Sequence, residues 1–416
     1  MKFIESNFYR ILAWGLAGLF FMLHYIVRVA PQEINPFLQV DFSLTMTQIT
    51  LMQTSFLVSY ITMQVPAGLL LDRYAPHRVL QGAVFLVLLS TFILYEANSF
   101  GLLLVSRVLL GLGSAFAFSG SVKIATLWFP RQFLGFLTSL TQVLGMIGAA
   151  SQVLIDDALS IMSWRSAAGI YTLIMLAIWI VMMLVWQDHP DRDKVSHTRS
   201  TSYKAVLIDF AEAMKNQQTW LVALYTGFIF APTLIFGESI GKNYLTAVLE
   251  DFTSHQDSTM ISIIFVGFAV GGIFQGLLSD MLGTRRPSLF FSSAGSLLTF
   301  TTYLYAPINY YLLCLLCFLY GFANSGLVIG YALAGEINPR RISGAGIAFA
   351  NMMSVLVGTI LLSFMGMLLD YFKSVQISDK LAYEYTFAIC PICLLISFVL
   401  AFYIHESFCR SVDERL

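Results

Sequence analysis

Four ionisable side chains lie inside long apolar stretches of the sequence and are the residues best placed to do chemistry: His24, Arg28, Lys123 and Glu238. A charge inside such a stretch is costly to bury, so each residue is a functional candidate by default. The Arg28 guanidinium can hold a carboxylate or a phosphate through two parallel hydrogen bonds. Arg28 is therefore expected to bind an anionic group of a substrate, with a structural ion pair near one end of its helix as the alternative.

His24 and Glu238 are the candidates for carrying a proton. His24 lies four residues before Arg28, so the two side chains share one helix face. His24 is expected to be either a proton-coupling group or a hydrogen-bonding histidine of the core. A carboxyl group in a cavity can carry a proton, so Glu238 is a candidate for proton coupling as well as for substrate binding. Lys242, four residues later, can compete for Glu238 as an ordinary helix-surface pair.

Two further cations have open roles. Lys123 lies five residues before Trp128, near the end of an apolar stretch, where a long side chain can extend toward water. Arg107 is either a charge in a cavity or an anchor at the outer interface.

The elements that must position these residues are apolar stretches of about 20 residues, the length that crosses a hydrocarbon core of about 30 Å as a helix. The chain of 416 residues is 57% hydrophobic and 11% charged, with a mean hydropathy of +0.76, so its natural solvent is a bilayer. About twelve stretches are predicted, over residues 10–32, 48–70, 79–97, 102–127, 136–156, 166–187, 219–248, 259–281, 288–306, 310–335, 344–370 and 383–405.

The only long polar segment divides these stretches into two halves. An N-terminal six-helix bundle is predicted over residues 1–187, a cytoplasmic linker over 188–218 and a C-terminal six-helix bundle over 219–416. With both chain termini placed in the cytoplasm, the loops on the opposite side hold only Arg165, Lys373 and Lys380. This asymmetry of basic residues favours that orientation.

One turn of the sequence occurs twice. Gly68-Leu-Leu-Leu-Asp72-Arg73-Tyr-Ala-Pro-His-Arg78 matches Gly276-Leu-Leu-Ser-Asp280-Met-Leu-Gly-Thr-Arg285-Arg286, at a separation of about 208 residues. Two parallel repeats place a substrate site at the midplane between the halves.

The repeat bears on three predicted site residues, Gln142, Asn351 and Glu238. Gln142 and Asn351 are repeat equivalents, and their neutral amides are expected to orient a polar substrate. Subtracting the separation from Glu238 gives a position near 30, within a turn of Arg28, so the two halves offer opposite charges at equivalent points. Tyr25 is expected to line the same cavity.

The repeated turn resembles the G-x-L-x-D-R signature of the major facilitator superfamily, and the resemblance covers essentially the whole chain. It implies an all-α membrane protein with about 12 transmembrane helices in two pseudo-symmetric six-helix bundles. The run from Arg107 to Gly113 resembles a second motif of that family, R-x-x-x-G-x-G. In the first turn Ala75 replaces a usual glycine, and Pro76 and His77 replace basic residues.

The resemblance also implies a conformational latch at the cytoplasmic helix ends, formed by Gly68, Asp72, Arg73, Arg78, Gly276, Asp280 and Arg285. The alternative is a charged turn that only sets topology.

The leading functional prediction is a secondary active transporter for proton-coupled uptake of a small polar, anionic or zwitterionic metabolite, an amino acid or organic acid, by alternating access. No phosphate-binding G-x-x-x-x-G-K-[ST] motif is present, so a gradient is expected to supply the energy. Helices one and seven are loosely similar to bacterial uptake carriers such as phagosomal amino acid transporters. The alternatives are an exporter of a drug or a siderophore-like polycarboxylate, and a transport-inactive substrate sensor. A sensor would be expected to carry a sizeable soluble output domain, and the segment 405–416 is too short for one.

The expected partners are a small-molecule substrate, protons and the lipid bilayer, with the chain as a monomer in the bacterial inner membrane. A net charge of −1 without basic clusters argues against nucleic acid. The five cysteines lack neighbouring His or acidic ligands, so neither a metal nor a cofactor is predicted. A membrane enzyme ranks last, because no nucleophile cluster is visible.

Overall fold

The computed structural model describes residues 7–129, 134–186, 203–248, 253–305, 309–339, 342–410 and 412. The chain divides into two compact units. The first comprises the described residues of Met1–Ser43 and Ser55–Tyr203, and the second those of Leu44–Thr54 and Lys204–Leu416. Residues 44–54, which the sequence places in the first half, thus pack with the second unit. The predicted boundaries at 187 and 219 stay a prediction, since residues 187–202 lie outside the described part.

Eight helices lie in the described residues before position 187: α1 (Asn7–Phe42), α2 (Met46–Arg73), α3 (Pro76–Tyr95), α4 (Phe100–Ser114), α5 (Ala117–Trp128), α6 (Leu134–Ala149), α7 (Gln152–Ile161) and α8 (Trp164–Val185). All belong to the first unit except the residues of α2 up to Thr54. Helix α1 runs without interruption through Pro31 and Pro36.

The second unit contains, within its described residues, α9 (Tyr203–Ala213), α10 (Gln217–Pro232), a π-helical segment π1 (Thr233–Ile240), α11 (Gly241–Val248), α12 (Ser254–Leu282), α13 (Arg286–Tyr305), α14 (Tyr310–Asn324), α15 (Leu327–Glu336), α16 (Ser343–Ser374), α17 (Asp379–Phe387) and α18 (Ile389–Tyr403). Helix α9 lies within the predicted linker.

Eleven spans in the described ranges are long and apolar enough to cross a membrane. The stretch predicted over 288–306 forms the 20-residue helix α13, which is not among the eleven. Seven of its residues are Ser or Thr, which lowers its hydropathy. Three of these hydroxyl groups face protein, because Ser292, Ser293 and Ser296 are fully buried.

The internal repeat is visible in one pair of spans. Helix α4 ends at Ser114 and α5 begins at Ala117, whereas α14 ends at Asn324 and α15 begins at Leu327. Both boundaries are therefore shifted by 210 residues. The repeat is less faithful elsewhere, since α1 is continuous and its counterpart is divided into α10, π1 and α11.

The start of α2 belongs to the second unit, where α16 caps it. The Asp370 carboxylate accepts hydrogen bonds from the backbone N–H groups of Met46 (3.0 Å) and Thr47 (2.7 Å). A carboxylate at a helix N-terminus satisfies unpaired N–H groups and interacts favourably with the helix dipole. Further along, the hydroxyls of Thr54 and Ser363 lie 2.6 Å apart.

Candidate functional site

Arg28 lies in α1 with only 4% of its surface exposed. Three aromatic rings surround its guanidinium group, with centroids 5.0 Å (Tyr25), 5.7 Å (Phe56) and 5.8 Å (Tyr60) from Cζ. Tyr25 belongs to α1 and the other two rings to α2, so the two helices build the cage together. Ring faces stabilise a cation electrostatically and exclude water from it. Attraction between such a cation and an anion is stronger than it would be in water.

His24 lies one turn before Arg28 and is 1% exposed. Its Nδ1 lies 2.6 Å from the carbonyl oxygen of Phe21. A carbonyl oxygen only accepts, so Nδ1 donates and Nε2 is the nitrogen that can take up a further proton. This hydrogen bond fits the core-histidine alternative, and a proton-coupling role stays a prediction.

Helix α6 packs closely along α1 and runs in the same direction. A Cβ built on Gly18 would lie 2.9 Å from Leu144 Cδ1, and one built on Gly148 would overlap the carbonyl oxygen of Met22. Backbone therefore lies against backbone at Gly148, and a glycine is required there.

Gln142 is not brought next to Arg28 by this packing. Since Gly148 is level with Met22, Gln142 lies roughly 15 Å or more before the level of Arg28 along the helix pair. Its half-buried side chain makes no hydrogen bond with the described residues. One turn after Arg28 on the same helix, Gln32 donates from Nε2 to Oε1 of Gln152 at 2.9 Å.

Arg107 on α4 is a second buried guanidinium beside the same turn of α1. It is 1% exposed, and its Nη1 donates to the carbonyl of Val27 at 3.3 Å. Its Nε and Nη2 find no hydrogen-bond partner among the described residues. Such burial fits the buried-charge alternative, and the role of Arg107 stays a prediction. Lys123 is half-buried in α5.

Glu238 lies in π1 of the second unit, where all eight residues of the segment are buried. Glu238 itself is 3% exposed. The segment is bounded by Pro232 and Gly241, and a Cβ built on Gly241 would overlap the carbonyl oxygen of Phe236. The five-residue spacing of that contact is the spacing of π-helical hydrogen bonds, and such segments are frequent at functional sites.

Lys242 is not the surface residue that the sequence suggested. It is 5% exposed, and its Nζ donates to Ser258 Oγ on α12 at 2.9 Å. One turn later, Thr246 donates to Asp257 Oδ2 at 3.3 Å. The polar face of α11 thus lies against the first turns of α12. Lys242 is buried there rather than on a helix surface, and its pairing with Glu238 stays a prediction.

Asn351 lies inside α16, as predicted, and is half-buried with no side-chain hydrogen bond to the described residues. A substrate-binding role for Asn351 stays a prediction. Tyr331 donates to or accepts from Ser354 at 2.9 Å. Tyr225 is fully buried and donates to the Leu289 carbonyl at 2.9 Å, which makes it a core residue.

The second copy of the repeated turn is held by a charged cluster. Asp280 lies in the last turn of α12, and Gly283 ends that helix with a φ of 64°. Arg285 donates from Nη1 to Asp280 at 2.7 Å and from Nη2 to Glu336 at 2.7 Å. Burial acts to lower the pKa of Arg285, but its hydrogen bonds to Glu336 and Asp280 outweigh burial and raise the pKa above its ordinary value. The predicted latch residues Asp280 and Arg285 are therefore in contact within this unit.

The first copy is only partly described. Asp72 and Arg73 end α2, but their side chains lie outside the described part. Arg78 is exposed in the first turn of α3. A Cβ built on Gly68 or Gly276 would meet nothing within 4 Å, so packing does not require glycine at either position. A latch role for these residues stays a prediction.

Glu406 adds to the cluster from the segment after α18, and no motif pointed to it. Its carboxylate accepts hydrogen bonds from the backbone N–H groups of Arg285 and Arg286, both at 2.8 Å. Burial alone would raise the pKa of Glu406, but these bonds, with those from Phe408 and Ser407, hold the pKa below its ordinary value. The carboxylate therefore caps the N-terminus of α13.

The residues that sequence reasoning missed share one property, which is that they gain their role only through a partner on another helix. They are Gln32, Phe56, Tyr60, Gln152, Glu336, Asp370 and Glu406. The acidic members carried the one usable signal, since carboxylates are rare in this chain.

Comparisons with known proteins agree with this architecture. The family model described as Major Facilitator Superfamily matches residues 14–249 and 232–411. A bacterial homologue of the human lysosomal transporter Spinster, in an inward-facing and occupied conformation, aligns with a TM-score of 0.78 at 15% identity, covering 96% of this chain and 97% of that one. The nucleoside transporter NupG aligns with a TM-score of 0.75 at 14% identity, covering 95% and 98%.

Three curated relatives are transporters by name. A probable sulfoacetate transporter of Cupriavidus necator is 24% identical over 66% of this chain and 66% of its own length, just under two thirds. The hexuronate transporter of Bacillus subtilis is 27% identical over 68% of this chain and 67% of its own. A probable galactarate/D-glucarate transporter of Pseudomonas putida is 21% identical over 77% of each chain.

Proposed function

Because the chain belongs to the major facilitator superfamily, and is thus a multi-pass secondary transporter rather than an enzyme, we propose that it moves small organic anions across the bacterial inner membrane together with protons. Uptake is the proposed direction, with both chain termini in the cytoplasm and the monomer as the working unit. An amino acid, which also carries a carboxylate, is the second candidate substrate.

The observation that carries the proposal is the aromatic cage around Arg28. A guanidinium that is 4% exposed and lined by three rings is poorly solvated, so a carboxylate gains much of the attraction that water would otherwise screen. The planar guanidinium can bind that carboxylate through two hydrogen bonds. The second guanidinium, Arg107, adds positive potential at the same turn of α1.

The names of the relatives agree with this chemistry. Sulfoacetate, hexuronate, galactarate and D-glucarate are all organic anions, and each appears in the name of a relative of this chain. Identities of 21% to 27% do not transfer any one of these substrates. They support the class.

Proton coupling is assigned to Glu238. Uptake of an anion against a negative membrane potential requires a compensating cation, and a buried carboxyl group can bind a proton in one state and release it in the other. Glu238 is buried in an irregular helical segment, where its surroundings can change with the state of the helix. His24 is the second candidate, through Nε2.

Reconstituted transport tests the Arg28 assignment. Proteoliposomes are offered labelled sulfoacetate, D-glucarate, D-glucuronate and glutamate under an inward proton gradient. Arg28→Ala is expected to cost about 2 kcal/mol or more in transport efficiency, which corresponds to a loss of about 30-fold. Arg28→Lys is expected to recover part of the activity, because it keeps the charge without the planar fork. Arg410→Ala, an exposed arginine outside the helices, is the matched control.

Failure of all four anions, or wild-type transport by Arg28→Ala, would contradict the proposal.

For Glu238, the expected result is that Glu238→Gln keeps counterflow exchange but loses uphill accumulation. Glu96→Gln, an exposed carboxylate between α3 and α4, is the control. Loss of exchange as well as accumulation would place Glu238 in binding rather than coupling.

A further inference from the structure

The start of π1 leaves backbone groups that another helix satisfies. The Thr233 N–H bonds to the carbonyl of Phe230, three residues back, and so releases the carbonyl of Ile229 from the regular α-helical pattern. Asn324 on α14 donates from Nδ2 to that Ile229 carbonyl at 2.8 Å. A buried carbonyl without a donor is costly, so this amide stabilises the point at which the α-helix gives way to π1.

The Thr233 side chain ties the same point to α14 a second time. Its hydroxyl donates to Asn324 Oδ1 at 2.9 Å and lies 2.8 Å from Tyr320 Oη. Since the single Thr233 proton goes to Asn324, Tyr320 is the donor in the other bond. Thr233, Tyr320 and Asn324 are each 1% exposed or less. The three side chains form one buried relay across the junction of α10 and π1.

The register of π1 determines where Glu238 points. A π-helix accommodates one residue more than an α-helix over the same length. Conversion of π1 to a regular α-helix would therefore turn the following side chains by about 100°, the rotation per residue of an α-helix. Glu238 is the sixth of the eight residues of π1, so its side chain would turn by part of that angle.

We propose that Thr233, Tyr320 and Asn324 are positioning residues that hold the π-helical register and thereby fix the direction and surroundings of Glu238. The inference rests on the proposed role of Glu238 in coupling. Release of the relay lets π1 shift toward α-helical pairing and changes the environment in which Glu238 binds its proton. Residues of α14 thus act on coupling through π1, without touching substrate.

Other titratable groups on the elements packed against π1 bear on the pH response. They are Lys242 and Tyr244 on α11 and Asp257 on α12. Tyr303 on α13 reaches the segment through the ring of Phe236, at 5.4 Å between centroids. The stretch of α16 around Gly358, which packs on Leu234, carries no titratable side chain. Tyr320 on α14 is itself titratable and contacts Thr233, and Tyr320→Phe removes its hydroxyl. The Thr233 variants change none of these groups.

Thr233→Val and Thr233→Ser form the central pair. Val has the same shape but no hydroxyl, whereas Ser retains it. Thr359→Val is the control, because among the described residues the buried Thr359 hydroxyl bonds only to the Val355 carbonyl of its own helix. Two quantities are measured in the full-length protein: hydrogen exchange of the amides of residues 229–241, and the pH dependence of uptake of the best organic anion of the panel.

Thr233→Val is expected to speed amide exchange in 229–241 and to shift the pH midpoint of uptake by about 0.5 unit or more. Tyr320→Phe should shift it in the same direction by less, and Thr233→Ser should restore both quantities. Faster exchange with a pH profile that superimposes on the wild type would overturn the positioning role, and unchanged exchange would overturn the claim that the relay holds π1. A wild-type pH profile in Glu238→Gln would instead refute the coupling role of Glu238, whatever the exchange data show.

Discussion

Helix one and helix seven are equivalent in the two repeats, yet they are built differently. Helix one is the single 36-residue helix α1, which passes through two prolines without a break and packs backbone to backbone on α6. Helix seven is divided into α10, π1 and α11, and side chains from α14 hold its irregular part. The regular helix carries a caged cation, and the irregular one carries a buried carboxyl group.

The difference teaches how one repeat can serve two tasks. A substrate-binding guanidinium needs a fixed direction, which a continuous helix locked against a neighbour provides. A proton-coupling group needs surroundings that change between states, which a π-helical segment next to a proline and a glycine can provide. On this view helix one supplies binding and helix seven supplies coupling.

The largest expected effect tests how tightly α6 packs on α1, compared with the packing of α16 on π1. Gly148→Ala places a Cβ against the Met22 carbonyl, whereas Gly358→Ala places one 3.1 Å from Cδ1 of the flexible Leu234 side chain beside π1. Both substitutions gain helix propensity of about 1 kcal/mol, so their difference reports packing. Overpacking at Gly148 is expected to cost about 1–3 kcal/mol. Thermal unfolding midpoints should fall for Gly148→Ala only, and equal losses would break the comparison.

A smaller effect is expected where α2 begins. Asp370→Ala leaves the N–H groups of Met46 and Thr47 without their acceptor, and loss of such a cap costs about 1 kcal/mol. Asp370→Asn should lose less, because one oxygen acceptor remains. The measurement is amide exchange at residues 44–54, with Asp379→Asn, an exposed residue of α17, as control. Unchanged exchange in Asp370→Ala would show that the cap does not hold this segment.

The smallest effect concerns the cap that Glu406 places on α13. Since the pKa of Glu406 is lowered in the folded protein, its contribution to stability is present above the ordinary carboxyl pKa of 4.5 and is lost as the pH falls through the lower folded value. An exposed helix-terminal charge contributes about 0.3–1 kcal/mol. Glu406→Gln should therefore lower the unfolding midpoint slightly at pH 7, and the difference from wild type should vanish in acid. A difference that grows in acid would reverse the sign of the argument.

The membrane fold was readable from the sequence because spans of about 20 apolar residues and a repeated charged turn are local patterns. Asp280 at the end of its helix and Asn351 inside another were located correctly for that reason. The helix α13 was also predicted, as the stretch 288–306, although its seven Ser and Thr residues lower its hydropathy.

The candidate site was predicted only in part. Arg28 and Glu238 stood out as charges in apolar stretches, but the rings of Phe56 and Tyr60 are two among many aromatic residues. Lys242 was misplaced on a surface because the i to i+4 spacing says nothing about α12 packing against it. The π-helical register left only weak signs, Pro232 and two glycines, and the relay that supports it lies nearly a hundred residues away at Asn324.

The most direct test of the account is the movement of protons when an organic anion is added. Proteoliposomes that hold a pH-sensitive dye, with no imposed gradient, are given D-glucarate, D-glucuronate or sulfoacetate from outside. The account predicts that the interior acidifies as at least one anion enters, that Arg28→Ala abolishes both signals, and that Glu238→Gln abolishes net proton movement while exchange continues. Entry of the anion without acidification, or acidification that persists in Glu238→Gln, would contradict it.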